Sequence, residues 1–444
     1  MTGINQPLHT RWQYAAYALP ALPLAGLALP LYIIVPTFYA DVIGLPLASV
    51  GMVLLAIRIL DAITDPLFGW SADSFSKRIG RRKGFFLLSI PVTALSGFML
   101  FWPPMDAGLI YLGLWGALAS IGYTWTVLPY TAWGAELVTD YTGRARLSAW
   151  REAATLVGTL LAISLPFTIG LQRADGFHGL AAMGLLLLVA LPLCAMVATV
   201  TVPEPKDHST TSISFLQSLQ FLARNGPFVR LISAFFLNGF ANAIPATLFL
   251  YFVSDRLRVP DMRGPFLFLY FLSAIAGVPL ALKAAGRFGK HRAWCGSLVT
   301  GCAIFALSGF LGSGDVIPFG AICVLTGLLL GFDLALPPSI QADVIDVDTA
   351  TSGAQRSGFY FAAWSLATKL ALALAVGAVF PILDYAGFKT SGTVNAPSAL
   401  TVLGILYAWM PIIPKLAAAA LMWNFPIGKL ELAAVQQRIA STQR

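Results

Sequence analysis

Between residues 48 and 70 an apolar run is broken by three charged residues, Arg58, Asp61 and Asp65. If the run is helical, Asp61 and Asp65, at i and i+4, share one face. Thr64, three residues after Asp61, adds a hydroxyl to that face. Two carboxylates and a hydroxyl form an oxygen-rich patch suited to a small hard cation, which makes Asp61 and Asp65 the candidate metal ligands. The same carboxylates could equally hold a proton, because crowding and burial favour the neutral acid. The competing reading is an internal salt bridge. In that reading Arg58, three residues before Asp61, neutralises it and leaves Asp65 as an N-terminal cap or loop acid.

The elements that must position these residues are read from composition. The chain is 57% hydrophobic and 11% charged, against about 25% charged in a soluble domain, so its solvent is lipid. Roughly 20 apolar residues cross a bilayer as a helix. Runs of that kind recur near 14–40 (span one), 48–70 (two), 84–104 (three), 108–135 (four), 149–172 (five) and 179–202 (six). They resume near 228–254 (seven), 264–284 (eight), 293–313 (nine), 316–340 (ten), 357–383 (eleven) and 398–424 (twelve). Long continuous runs are helices rather than alternating barrel strands. The expected fold class is therefore an all-α membrane protein of about twelve transmembrane helices.

Basic residues set the orientation. Lys77, Arg78, Arg81, Arg82 and Lys83 follow span two, Arg144 and Arg146 follow span four, and Lys283, Arg287, Lys290 and Arg292 follow span eight. All lie on one side with Arg11 and the tail residues Lys429, Arg438 and Arg444, so both termini are expected in the cytoplasm and the chain in the inner (plasma) membrane. The net charge of +8 is explained by loops facing anionic lipid and calls for no nucleic acid. The first apolar run is too long for the core of a cleavable signal peptide. Cys194, Cys295, Cys302 and Cys323 lack ligand spacing and read as packing residues.

A polar stretch divides the chain into halves. The expected domains are 1–202, a linker at 203–226 with a short amphipathic helix around Phe215–Leu222, and 227–444. The halves repeat. Arg78-Ile79-Gly80-Arg81-Arg82-Lys83 after span two matches Arg287-Phe288-Gly289-Lys290-His291-Arg292 after span eight. After spans four and ten, Pro129 through Ala135-Glu136-Leu137-Val138 echoes Pro337 through Ala342-Asp343-Val344-Ile345. Many transporters bind substrate between two such repeats.

Arg58, Asp61-Ala62-Ile63-Thr64-Asp65-Pro66, Gly69, Asp73 and the basic loop together resemble the glycoside–pentoside–hexuronide:cation symporters of the major facilitator superfamily. The resemblance extends to Asn238-Gly239 with Asn242 and Pro245 in span seven, to Pro337 through Asp343, and to Lys369 in span eleven. It implies two pseudo-symmetric six-helix bundles and transport by alternating access. It also implies that Asp61 and Asp65 bind the coupling cation, with Thr64 and Thr124 as further ligands. Lys369 matches a lysine that approaches the cation site from the other half, and Arg151 lies near a substrate-contacting arginine. The sugar-carrying members use acids in spans one and four. Here span one has no charge and the span-four position is Val127, so simple sugars are not the expected solute.

Lys369 lies alone in an apolar run, and a partnered role is expected over snorkelling to an interface. Asp333 either pairs with Lys369, lines a cavity, or lies near a mouth if span ten ends early. Asn238 and Asn242 share a face and either bond between helices or line a cavity. Tyr123 and Trp364 could stack on substrate or pack. Arg151 with aromatic and apolar walls favours a solute with an anionic or amphiphilic part. No Walker pattern or nucleophile elbow is found, so neither ATP-driven pumping nor enzyme chemistry is expected. The resulting expectation is a monomeric secondary symporter with no cofactor beyond coupling Na+ or H+, moving a glycoside-like, anionic or amphiphilic solute. A lipid carrier of the same fold and a non-transporting sensor are the alternatives.

Overall fold

The computed structural model describes residues 10–27, 35, 38–39, 42–74, 80–138, 140–169, 179–205, 215–352, 356–388, 395–429 and 431–435. Among these residues the regular structure is helical throughout. Span two is the helix Leu47–Ser74, span three Arg81–Phe101, span four Leu109–Leu137, span five Tyr141–Ile169 and span six Gly179–Thr201. Span seven is Gly226–Tyr251, span eight Arg263–Phe288, span nine Lys290–Ala306, span ten Val316–Ser352 and span eleven Ser357–Tyr385. Of span one, the helix Arg11–Ala18 and helical residues 21–27 are described. Among the described residues, eight helices (spans three and six to twelve) are long and apolar enough to cross a membrane.

Local chemistry explains the helix starts. Thr10 accepts a bond from the Gln13 amide at 3.3 Å, and Asn225 accepts one from the Phe228 amide at 3.0 Å, with Pro227 in the first turn. Each cap satisfies an amide that the helix itself cannot. Spans three and nine instead follow Gly80 (φ 91°) and Gly289 (φ 85°), backbone angles that a side chain disfavours. The two glycines occupy the matching place in the duplicated loop, so the repeat extends to backbone geometry. The linker helix runs Phe215–Arg224.

Two spans depart from their sequence outlines. Span ten continues to Ser352, so Asp333 sits in the middle of a helix rather than at a mouth. Span twelve is two helices, Pro397–Ala408 and Ile412–Trp423. The interruption, residues 409–411, ends on Pro411, with Pro414 in the first turn beyond it, and neither proline has an amide to give.

The chain forms two compact units. The first holds Met1–Ser218 and Val347–Ala363, and the second Leu219–Asp346 and Trp364–Val435. In the first, Tyr17 and Tyr130 stack at 4.8 Å and each hydroxyl donates to the other's backbone carbonyl, at 3.0 and 2.6 Å. Phe86 and Trp133 complete this core. In the second, Phe252 stacks on Tyr407 at 4.0 Å beside Phe319.

Candidate functional site

Spans two and four bring the span-two acids against hydroxyls. Ser120 donates to Asp61, and Thr124 donates to Asp65 at 2.8 Å. Both carboxylates are 0% exposed. Each bond joins residues 59 apart. A constant separation means the two helices run parallel here, as even-numbered spans must. The i, i+4 acids of one helix therefore meet the i, i+4 hydroxyls of the next, rung for rung. The Thr64 hydroxyl turns back to its own helix, donating to the Asp61 carbonyl at 3.4 Å. The Arg58 side chain lies outside the described residues. Among the described residues no three His, Cys, Asp or Glu side chains gather as a metal cluster. A cation bound here would thus be held by two carboxylates and hydroxyls, a donor set for a hard ion of low charge.

The second unit holds another polar centre. Asp333 of span ten accepts bonds from Trp294 at 2.6 Å, Asn238 at 3.2 Å and Asn242 at 3.1 Å. Lys415, in the second half of span twelve, donates to the Asn242 carbonyl oxygen and lies 3.8 Å from Asp333. Spans seven, nine, ten and twelve meet at this one carboxylate. Asn238 and Asn242 thus bond between helices, as their spacing allowed.

The remaining candidates are dispersed. Arg151 donates through Nε (3.0 Å) and Nη2 (2.6 Å) to its neighbour Glu152, which balances its charge. Tyr123 is half-buried against the first unit's core. Trp364 stacks on Phe235 at 3.6 Å. Lys369 is half-buried within span eleven, in the second unit.

Beyond the apolar runs of spans two to four lies a cluster of charges. Arg81 donates to Glu136 at 2.6 Å, and Arg82 bonds both Glu136 and Asp73, the latter at 2.7 Å. Asp73 also accepts from the amides of Gly358 (2.8 Å) and Phe359 (2.9 Å) at the start of span eleven. Burial raises the Asp73 pKa, an effect that Arg82 only partly offsets. Burial also acts upward on Glu136, but Arg81 and Arg82 outweigh it and hold Glu136 below the usual range. Close backbone approach accompanies these bonds: a Cβ on Gly69 would lie 2.6 Å from that of Ala362.

Sequence reasoning missed Ser120, Trp294, Lys415 and Glu152. Ser120 had a usable signal, its i, i+4 spacing from Thr124 on a helix parallel to span two. Lys415 carries the same signal as Lys369, a lone lysine well inside an apolar run, where an ionisable side chain marks a partnered site.

Residues 16–429 match the model of the MFS/sugar transport protein family. A putative glycoside/cation symporter, YagG of Escherichia coli, is 26% identical over 85% of this chain and 83% of its own length. Human sodium-dependent lysophosphatidylcholine symporter 1 is 24% identical over 85% of this chain and 76% of its own. Among solved structures, a bacterial homologue of the iron transporter ferroportin, outward-facing, aligns with a TM-score of 0.71 at 17% identity, covering 94% of this chain and 99% of that one. The Escherichia coli fucose:proton symporter FucP aligns at 0.68 and 14% identity, covering 91% and 97%. At these identities the structural likeness speaks to the fold alone.

Proposed function

Because the chain belongs to the MFS/sugar transport protein family, we propose that it is a secondary active transporter that couples Na+ or H+ to the symport of a small organic solute by alternating access. It is a membrane protein and a transporter, not an enzyme. The observation that carries the reading is the pair of fully buried acids, Asp61 and Asp65, each facing a span-four hydroxyl. Carboxylates inside an apolar bundle are costly, by about 2.5–3.5 kcal/mol on insertion scales. Such a cost is retained where the charge has a task, and cation binding is the task this oxygen set suits. The names of relatives agree in kind, one being a glycoside/cation symporter and another sodium-dependent.

Asp61, Asp65 and Thr124 are the cation ligands in this proposal, with Ser120 bracing Asp61. Thr64 supports the turn, and Arg58, three residues before Asp61, and Lys369 of span eleven are the basic coupling residues. The solute is glycoside-like, anionic or amphiphilic. Both termini face the cytoplasm, on the basis of the loop charges, and the transporter works as a monomer.

Proteoliposomes with an imposed Na+ or H+ gradient test the proposal. Asp61→Asn and Asp65→Asn should abolish uphill accumulation, since an amide carries no charge to hold the ion, while solute exchange survives. Lys369→Ala should change ion dependence more than solute selectivity. Uphill transport in both acid variants would move the cation site elsewhere.

A further inference from the structure

We propose that Lys415 anchors the anionic group of the transported solute, a carboxylate or phosphate monoester, through an ammonium that its own ion pair leaves only partly engaged. The proposal rests on the transporter reading and adds to it a binding residue and a substrate chemistry.

The argument begins with Asp333. A carboxylate in an apolar bundle must be satisfied by donors. Asp333 is, by the N–H groups of Trp294, Asn238 and Asn242 at 2.6–3.2 Å. These are neutral donors, so the carboxylate's hydrogen bonding does not depend on Lys415. The ammonium stands 3.8 Å away, beyond hydrogen-bond length, and spends one of its three N–H groups on the neutral amide oxygen of Asn242.

Lys290 supplies the contrast within the same unit. It lies 2.5 Å from Asp343, and its side chain is 1% exposed. That is a closed structural pair. The Lys415 side chain is 18% exposed, twice the 9% of Asp333. A loosely paired, reachable cation among apolar helices gains most from a second anion. Arg151, the arginine singled out in the sequence for this role, is already balanced by Glu152 at 2.6 Å.

Two further features fit. Lys415 stands in the first turn after the interruption of span twelve, and broken helices are where many transporters bind charged groups. The Oδ1 atom of Asn238, a residue 2% exposed, has no hydrogen-bond partner among the described residues. Because it is buried, a hydroxyl carried by the same solute would reach this acceptor only as the cluster opens to take the solute up.

Binding to the purified transporter, without any ion gradient, tests the proposal. The probes are two matched pairs: methyl β-D-glucuronide with methyl β-D-glucoside, and decyl phosphate with decanol. At least one anionic member should bind roughly tenfold or more tightly than its neutral match, the scale of one charge-assisted hydrogen bond. Which pair responds separates a hydrophilic solute from a lipid-like one. Lys415→Arg should keep most of the preference, and Asp333→Asn should strengthen it by freeing the ammonium. Lys415→Met alone could misfold by leaving Asp333 uncompensated. The double variant Lys415→Met with Asp333→Asn is neutral and should bind both members of each pair alike. Equal binding within both pairs by the wild type, or a wild-type preference in the double variant, would overturn the proposal. Because no gradient is used, a failure of cation coupling leaves this result readable.

Discussion

Spans two and four of the first unit and spans eight and ten of the second are the same pair of elements, duplicated, and they meet in opposite ways. In the first unit the seam carries two buried acid–hydroxyl rungs, Asp61 with Ser120 and Asp65 with Thr124. Counting back from the matched glycines Gly80 and Gly289, Tyr270 falls where Asp61 stands and Ala274 where Asp65 stands. There the helices close backbone on backbone. A Cβ on Gly327 would lie 2.4 Å from the Tyr270 carbonyl, one on Gly331 2.8 Å from the Ala274 carbonyl, and one on Gly277 1.9 Å from the Leu328 carbonyl. Small residues of this kind are how membrane helices approach closely without a hydrophobic driving force. The basic-loop ends, by contrast, keep the same pairing in both units, Arg81 with Glu136 and Lys290 with Asp343. Duplication preserved the charged ends, while the middles diverged into an acid–hydroxyl seam, the proposed ion seam, and a close-packed scaffold seam.

The preserved ends give the largest expected effect. Glu136→Gln removes the negative charge, and one of the two acceptor oxygens, shared by two buried guanidiniums, Arg81 and Arg82, and breaking a buried pair costs about 3–5 kcal/mol. Asp343→Asn removes the partner of Lys290 alone. Thermal unfolding in detergent should therefore show the larger loss for Glu136→Gln. Equal losses would mean that the extra members of the first cluster, Asp73 and Arg82, contribute nothing to it.

The seams come next. Gly277→Ala should destabilise the second unit by about 1–3 kcal/mol, the usual cost of overpacking, because its methyl would meet a carbonyl rather than a side chain that can move. Ser120→Ala takes a donor from the buried Asp61, so it should lower the melting temperature moderately without unfolding the protein and should weaken cation binding. If Gly277→Ala were silent and Ser120→Ala unfolded the protein, the assignment of scaffold and ion seam would be reversed.

Part of this comparison can be read in the sequence alone. Length and apolarity outline the helices because lipid forces the backbone to satisfy itself. The acids on span two stand out because charge is costly there. The loop repeat was visible as Gly80 and Gly289 with their basic neighbours. What sequence could not supply was pairing across helices. That Arg151 is balanced by the very next residue, that Trp294 reaches Asp333, and that Lys415 turns inward all depend on helix rotation, which an apolar run without strong amphipathicity does not fix. The break in span twelve was hidden for a related reason: membrane helices tolerate internal proline, as spans three, four, six and seven do here, so Pro411 and Pro414 did not announce it.

The smallest effect separates the two carboxylates that share Arg82. Glu136 is held below its ordinary range, with burial pushing it up and Arg81 and Arg82 pulling it further down. Its contribution to stability is present above the unfolded glutamate pKa of about 4.3 and fades as pH falls through the lower folded value. Asp73 has the opposite sign. Burial raises it and Arg82 offsets only part of the rise, so the folded protein binds that proton more tightly than the unfolded chain does. Charging Asp73 therefore costs stability as pH rises through its raised value, and acidification returns it, at most about 1.4 kcal/mol per pH unit. Melting temperature followed from about pH 7.5 to about pH 2.5 should first hold or rise and then, below about pH 4.3, drop. Asp73→Asn should remove the rise and keep the drop. It should also lower stability at every pH, because an amide offers one acceptor oxygen where the carboxylate offers two, bonded to the Gly358 and Phe359 amides. The second unit has Leu282 and His291 in place of Asp73 and Arg82, so it has no counterpart of this carboxylate. Its variant Asp343→Asn should leave the rise in place. A rise that survived Asp73→Asn would assign it to another group and dissolve the contrast between the two ends.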